Sequence, residues 1–189
     1  ARGGYNSMFF LDNQYGWIVI GCEIFFTNNG GDTWQYSNIK EISDRKDILQ
    51  SVNFFNKNDG IIAGSNRDNG SILRRTTDGG KTWRNITGFK HIYHLNDIYL
   101  KTNGEGWVVG ESGAILYTKD YGKSWRDLTD GTTSDLTDVD FSDKNNGWAA
   151  GGTLSSEWRI GGTILKTNDG GKNWTESYYS LNTFLVCVK

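Results

Sequence analysis

An eight-residue phrase written four times constrains this chain more than any other feature. Thr76-Thr77-Asp78-Gly79-Gly80-Lys81-Thr82-Trp83 returns as Thr27-Asn28-Asn29-Gly30-Gly31-Asp32-Thr33-Trp34, as Thr118-Lys119-Asp120-Tyr121-Gly122-Lys123-Ser124-Trp125, and as Thr167-Asn168-Asp169-Gly170-Gly171-Lys172-Asn173-Trp174. The closing tryptophans are 49, 42 and 49 residues apart. Self-similarity at such a period marks stacked or radial units, none of which can bury its apolar face alone.

Each residue type in the phrase has a mechanical reason. The third position, Asn29, Asp78, Asp120 or Asp169, carries a short acceptor that can close a turn on backbone N–H groups about two residues on. The fifth is always glycine, at Gly31, Gly80, Gly122 and Gly171, as a backbone with φ > 0 requires. The last is always tryptophan, Trp34, Trp83, Trp125 and Trp174, each able to bury on the order of 200 Å². The phrase reads as a hairpin turn with a built-in anchor. Four copies of a turn are scaffold, so its carboxylates are expected to be structural and no catalytic residue is assigned among them.

Three further phrases recur around it. A Gly-bounded small apolar run precedes each turn: Gly16-Trp17-Ile18-Val19-Ile20-Gly21, Gly60 to Gly64 without its Trp, Gly106 to Gly110 and Gly147 to Gly151. Upstream lie alternating stretches at 5–10, 49–54, 95–100 and 136–141. Short apolar runs at 24–26, 72–74, 115–117 and 164–166 lead into the turns, and the residues after each Trp supply a fourth strand. All are too short for helices and bounded by turn formers. Four antiparallel strands in each period of 42 to 49 residues make one blade of a β-propeller.

The expected organisation is a single all-β domain over 1–189, with repeats at about 5–40, 48–90, 95–130 and 136–180. Residues 181–189 match the start of a fifth repeat or a closing strand. Two architectures stay open: part of a larger propeller, favoured here, or a small four-blade one. Unpaired strand edges would then invite pairing with another chain. Cys22 and Cys187, the two cysteines, read as buried thiols unless ring closure brings them together.

Composition narrows the function. A net charge of −2 without a basic cluster offers no field for nucleic acid. No run approaches the roughly 18 apolar residues of a membrane span, and no leader opens the chain. His91 and His94 are two histidines without an evident third ligand, so neither a metal nor another cofactor is expected.

The turn phrase matches the bacterial neuraminidase repeat, or Asp-box. The fuller cycle, most complete in Leu95 to Trp125 and Leu136 to Trp174, resembles the photosystem II stability and assembly factor-like propellers. That resemblance covers essentially the whole chain and implies a non-enzymatic scaffold that binds a protein partner through loops, in an extracytoplasmic setting (secreted, periplasmic or thylakoid lumen). Three departures stand out: Asn29 for the box Asp, Ile61 for the Trp of the second repeat and Asn173 for the hydroxyl residue of the fourth.

The rival reading is a glycan-binding or sialidase-like propeller. It would need an arginine cluster for the substrate carboxylate, yet the arginines recur beside boxes or in loops, and the chain holds no Pro for the Arg-Ile-Pro phrase. Asp97 and Asp138, at equivalent points of two first strands, could face a central channel and read as shared architecture before an acid/base pair. The binding residues expected lie in two insertions between second and third strands. Thr153 to Ile160 contains Glu157, Trp158 and Arg159, and Ser65 to Asn69 contains Arg67. Loops at the end of a rigid scaffold carry binding, and Trp and Arg are common anchors.

Overall fold

The computed structural model describes residues 5–37, 39, 47–66, 70–87, 94–129, 134–154 and 160–181. They form four antiparallel four-stranded sheets, one per repeat, each a simple meander. The first blade is β1 (Tyr5–Phe10), β2 (Gly16–Ile20), β3 (Glu23–Thr27) and β4 (Gln35–Tyr36); the second is β5 (Asp47–Phe54), β6 (Gly60–Asn66), β7 (Gly70–Thr76) and β8 (Arg84–Asn85). The third is β9 (Leu95–Leu100), β10 (Gly106–Gly110), β11 (Ile115–Thr118) and β12 (Arg126–Asp127). The fourth is β13 (Asp135–Phe141), β14 (Gly147–Leu154), β15 (Ile160–Thr167) and β16 (Thr175–Leu181).

The strands fall where the sequence phrases place them, with two corrections. Ser65 and Asn66 belong to β6, and Thr153, Leu154 and Ile160 to β14 and β15. Both insertions therefore lengthen a hairpin before they become loop, because Asn66 still pairs with Gly70 and Leu154 with Ile160. Arg67, Glu157, Trp158, Arg159, His91 and Cys187 lie outside the described residues. Cys22 is a half-buried free thiol.

The second correction concerns the box, whose acceptor reaches four residues on instead of two. Asp78 Oδ1 accepts the Thr82 N–H at 2.9 Å and its Oδ2 the Thr82 hydroxyl at 2.6 Å. Thr76 Oγ1 completes the turn by accepting the Gly80 N–H at 3.0 Å. The same ring of bonds recurs around Asp120 and Asp169. The drifted copies keep it: Asn29 accepts the Thr33 N–H and donates to the Thr33 hydroxyl, and the Asn173 amide donates to Asp169 Oδ2 where the other boxes use a hydroxyl. An amide serves because donor and acceptor are both short and polar.

The core lies between blades. Three apolar clusters fill the seams from first to second, second to third, and third to fourth blade. In the first seam Trp17 lies flat on Phe54, ring centroids 3.5 Å apart, and donates its indole N–H to the Gly79 carbonyl of the next box at 2.9 Å. Trp107 repeats the arrangement in the third seam, 4.2 Å from Phe141 and donating to Gly171 O. A Cβ on Gly80 would sit 2.9 Å from the Trp17 indole nitrogen. The fifth-position glycines all take a left-handed backbone, at φ 73 to 96°, and Gly80 and Gly171 also leave room for the preceding blade's ring, Trp17 and Trp107 respectively.

The first strands line the inside of the arc and are stitched to one another. Each carries a bulge next to a polar residue: Asn6, Gln50, Asn96 and Thr137. A bulge frees one residue from the ladder and re-aims its side chain. Asn6 and Asn96 use that freedom to donate to Leu49 O and Leu136 O of the following blade, at 2.5 and 2.7 Å.

Candidate functional site

Three seams built to one plan make the departure from it the place to look. In the middle seam the Trp is Ile61, which cannot donate a hydrogen bond. Arg75 stands directly across the ladder from Ile61, and its Nε–H donates to the Tyr121 carbonyl at 2.6 Å. Tyr121 holds the fourth box position, where the other boxes have glycine, and keeps φ at +61°. Its ring packs edge-on to Phe55, centroids 5.3 Å apart. The aromatic bulk has moved across the seam from the strand to the box, and the donor has moved from an indole to a guanidinium.

This rearranged seam opens outward. A groove of about 450 Å³ runs between the outer strand of the second blade and the box of the third, lined by Arg75, Thr77, Thr82, Arg84, Ile86 and Lys123. The hollow at the Trp17 seam holds about 240 Å³, so the Trp-less seam offers roughly twice the room. Arg75 is committed to Asp59 through Nη2 at 2.5 Å as well as to Tyr121. Arg84 and Lys123, by contrast, are exposed. The groove pairs a hydroxyl-rich floor with cationic flanks, which suits an extended segment bearing backbone carbonyls and carboxylates.

The insertions expected to carry binding are at the other end. The boxes share their end with the turns between first and second strands, since the Gly79 and Gly170 N–H groups donate to Asn58 O and Asn145 O. The hairpins of β6 with β7 and of β14 with β15 point the opposite way. A reading of motifs one repeat at a time missed the groove. Its signal was the coincidence of two departures, Ile61 in one repeat and Tyr121 in the next.

Asp97 and Asp138 are brought into direct contact. Asp97 Oδ1 accepts the Ser51 hydroxyl of the second blade at 2.9 Å, and Oδ2 accepts the Val139 N–H of the fourth at 3.1 Å. Burial, a hydrogen bond with the Asp138 carboxyl and that group's charge push Asp97 up to about 8. Two carboxyls bonded to each other leave no space between them for a sugar ring, whereas glycosidases hold theirs roughly 5 Å or more apart. The described arginines are not gathered around these carboxyls: Arg74 pairs with Asp47, Arg75 with Asp59, and Arg84 and Arg126 sit on exposed outer strands. His94 Nδ1 lies 3.2 Å from Glu111, and among the described residues no three His, Cys, Asp or Glu side chains gather as a metal site. No described helix is long and apolar enough to cross a membrane.

Comparisons with known proteins agree with this architecture. The family described as photosynthesis system II assembly factor YCF48 matches residues 5–92 and 86–153. The photosystem II assembly lipoprotein Ycf48 of Synechococcus sp. (strain CC9902) is 30% identical over 129 residues, which are 67% of this chain and 35% of that protein. The chain thus spans about a third of the length of that relative. Among solved structures, YCF48 bound to D1 peptide superposes with a TM-score of 0.56 at 20% identity, covering 93% of this chain and 82% of that one. An ancestral GH74 enzyme superposes at 0.67 and 17% identity, covering 92% of this chain and 24% of that one. Likeness at such identities speaks for the fold alone.

Proposed function

The chain belongs to the photosynthesis system II assembly factor YCF48 family, and from that premise we propose that it is a non-enzymatic scaffold that holds an extended protein segment in the groove between its second and third blades. The observation carrying this reading is the altered middle seam, where Ile61, Arg75 and Tyr121 replace the repeated Trp device and a groove of about 450 Å³ lies beside them. A relative carrying a D1 peptide makes a photosystem II segment the partner class of choice. Relatives that include a lipoprotein and chloroplast proteins support an extracytoplasmic or lumenal setting.

The test is fluorescence anisotropy with a labelled D1 peptide. Arg84→Ala with Lys123→Ala, both exposed, should weaken binding about tenfold or more, equivalent to roughly 1.4 kcal/mol, with the fold intact. Unchanged affinity would remove the groove from consideration. Weakening instead by Trp158→Ala with Arg159→Ala would move the site to the insertion end, where Glu157 and Arg67 are the accompanying candidates.

A secondary reading has its own observation. The outward face of the first blade exposes Met8 by 51% and Phe10 by 39%, while the equivalent Val52 and Phe54 are 2% exposed. That face suits a second blade of the same type, and concentration-dependent sedimentation would reveal self-association through it.

A further inference from the structure

The innermost position of the four blades reads Ser7, Ser51, Asp97 and Asp138, one residue after each bulge. In the first seam this position makes one simple bond, in which Ser7 Oγ accepts the Val52 N–H of the next blade. In the third blade the hydroxyl becomes a carboxyl, and its geometry spans three blades. Asp97 accepts from Ser51 on one side and from the Val139 N–H on the other, and meets the Asp138 carboxyl. Two carboxyl groups can hydrogen-bond to one another only while a proton lies between them.

We propose that Asp97 and Asp138 form a proton-operated clasp on the seam between the third and fourth blades. With one proton shared, the seam is closed by a carboxyl–carboxylate hydrogen bond. Loss of that proton leaves two negative charges facing each other at the same spot, and the seam loosens.

Among the described residues, the groups set against the pair are apolar side chains and neutral hydroxyls. Asp97 is opposed on β10 by Val109 and Asp138 on β14 by Ala150. From β5 comes the Ser51 hydroxyl, and from β1 the Ser7 hydroxyl at the adjacent seam. The other charged groups of the strands packed here have their own partners. Asp135 accepts from Ser112 N and Asp140 from Phe141 N, while Asp47 pairs with Arg74 and Arg75 with Asp59. Among these described groups no lysine or arginine is directed at the pair.

The sign follows from the folded value, about 8 against an ordinary 3.8. The contribution to stability is fully present below about pH 4, declines as pH rises, and is gone once pH passes about 8. The aspartates of the boxes are shifted the opposite way and lose their contribution only as pH falls below about 4, so they do not produce the alkaline limb; Asp138→Asn separates the clasp from the nearby His94–Glu111 contact.

Thermal melts of the chain between about pH 5 and about pH 9 test this, together with hydrogen exchange of the segment 134–141 corrected for intrinsic rate. The wild type should lose roughly 3 °C or more in Tm across the range, with faster exchange at the Val139 N–H above about pH 8. Asp138→Asn, which keeps a hydrogen-bond donor but removes the second charge, should flatten both profiles. A wild type whose Tm and exchange are level across this range overturns the proposal even if the variant does not fold, as does an unchanged slope in Asp138→Asn.

Discussion

Arg75 donates its Nε–H to the main-chain carbonyl of Tyr121 at 2.6 Å, taking over from across the ladder the bond that Ile61 cannot make. Trp17 makes the corresponding bond to Gly79 in the seam before it. Arg75→Ala removes the guanidinium from that carbonyl and from the Asp59 carboxylate, which keeps its bond from the Asn56 amide, at a cost of about 1–3 kcal/mol. Arg75→Lys should recover part of this through Asp59 alone. Urea unfolding of the two variants measures the difference.

Restoring the repeat pattern at one position alone should harm the protein. Ile61 is fully buried, and a Cβ on Gly122 would already come within 2.5 Å of its Cδ1. Ile61→Trp is therefore expected to cost about 1–3 kcal/mol by overpacking. Adding Tyr121→Gly, which empties the facing volume and relieves a positive φ, should return part of that loss. A strictly additive double-mutant cycle would show that the two departures are not coupled.

Removing an intact knob is costlier. Trp107 is fully buried against Phe141, and Lys101 lies over both rings at 4.6 and 4.3 Å. Trp107→Ala is expected to lose about 3–5 kcal/mol. Trp148, its equivalent in the fourth blade, is only partly buried, so Trp148→Ala should cost clearly less in the same denaturant titration.

Acid should unfold the chain through the boxes. Burial alone would raise Asp169, but hydrogen bonds from Asn173 and Thr167 outweigh it and hold the carboxyl down at about 2; similar turn bonds lower Asp78 and Asp120 against the same opposing effect. Their stabilisation is present above about pH 4 and is lost as pH falls toward about 2. Asp169→Asn, with a neutral acceptor in place, should shallow the acid limb followed by far-ultraviolet dichroism. An identical limb would assign acid unfolding to other carboxylates.

The insertion end carries its own prediction. Trp158→Ala with Arg159→Ala should leave Tm unchanged and weaken capture of a D1 peptide only if partner contacts extend to that end. A drop in Tm would instead mark Trp158 as packing on its neighbour, and differential scanning fluorimetry separates the outcomes.

The strands and the box were legible in the sequence because their causes are local. A strand shows as an alternation over six residues, and the box closes between Thr76 and Thr82, through partners no more than four residues apart. Even there, reading Asp78 as a short turn acceptor placed its partner too near in the chain. The insertions were seen as loops because they lack the repeat, whereas Asn66 and Leu154 continue their ladders.

By itself, then, the sequence determined the four blades, their strand order and the left-handed glycines, since each depends on residues that neighbour one another along the chain. Which carbonyl meets Trp17, that Arg75 substitutes for an indole, and that Asp97 touches Asp138 were decided only by tertiary structure. These partners are some 40 to 60 residues apart. Their meeting depends on how two separately hydrogen-bonded sheets pack, a matter of side-chain volume across a seam that no stretch of a single repeat encodes.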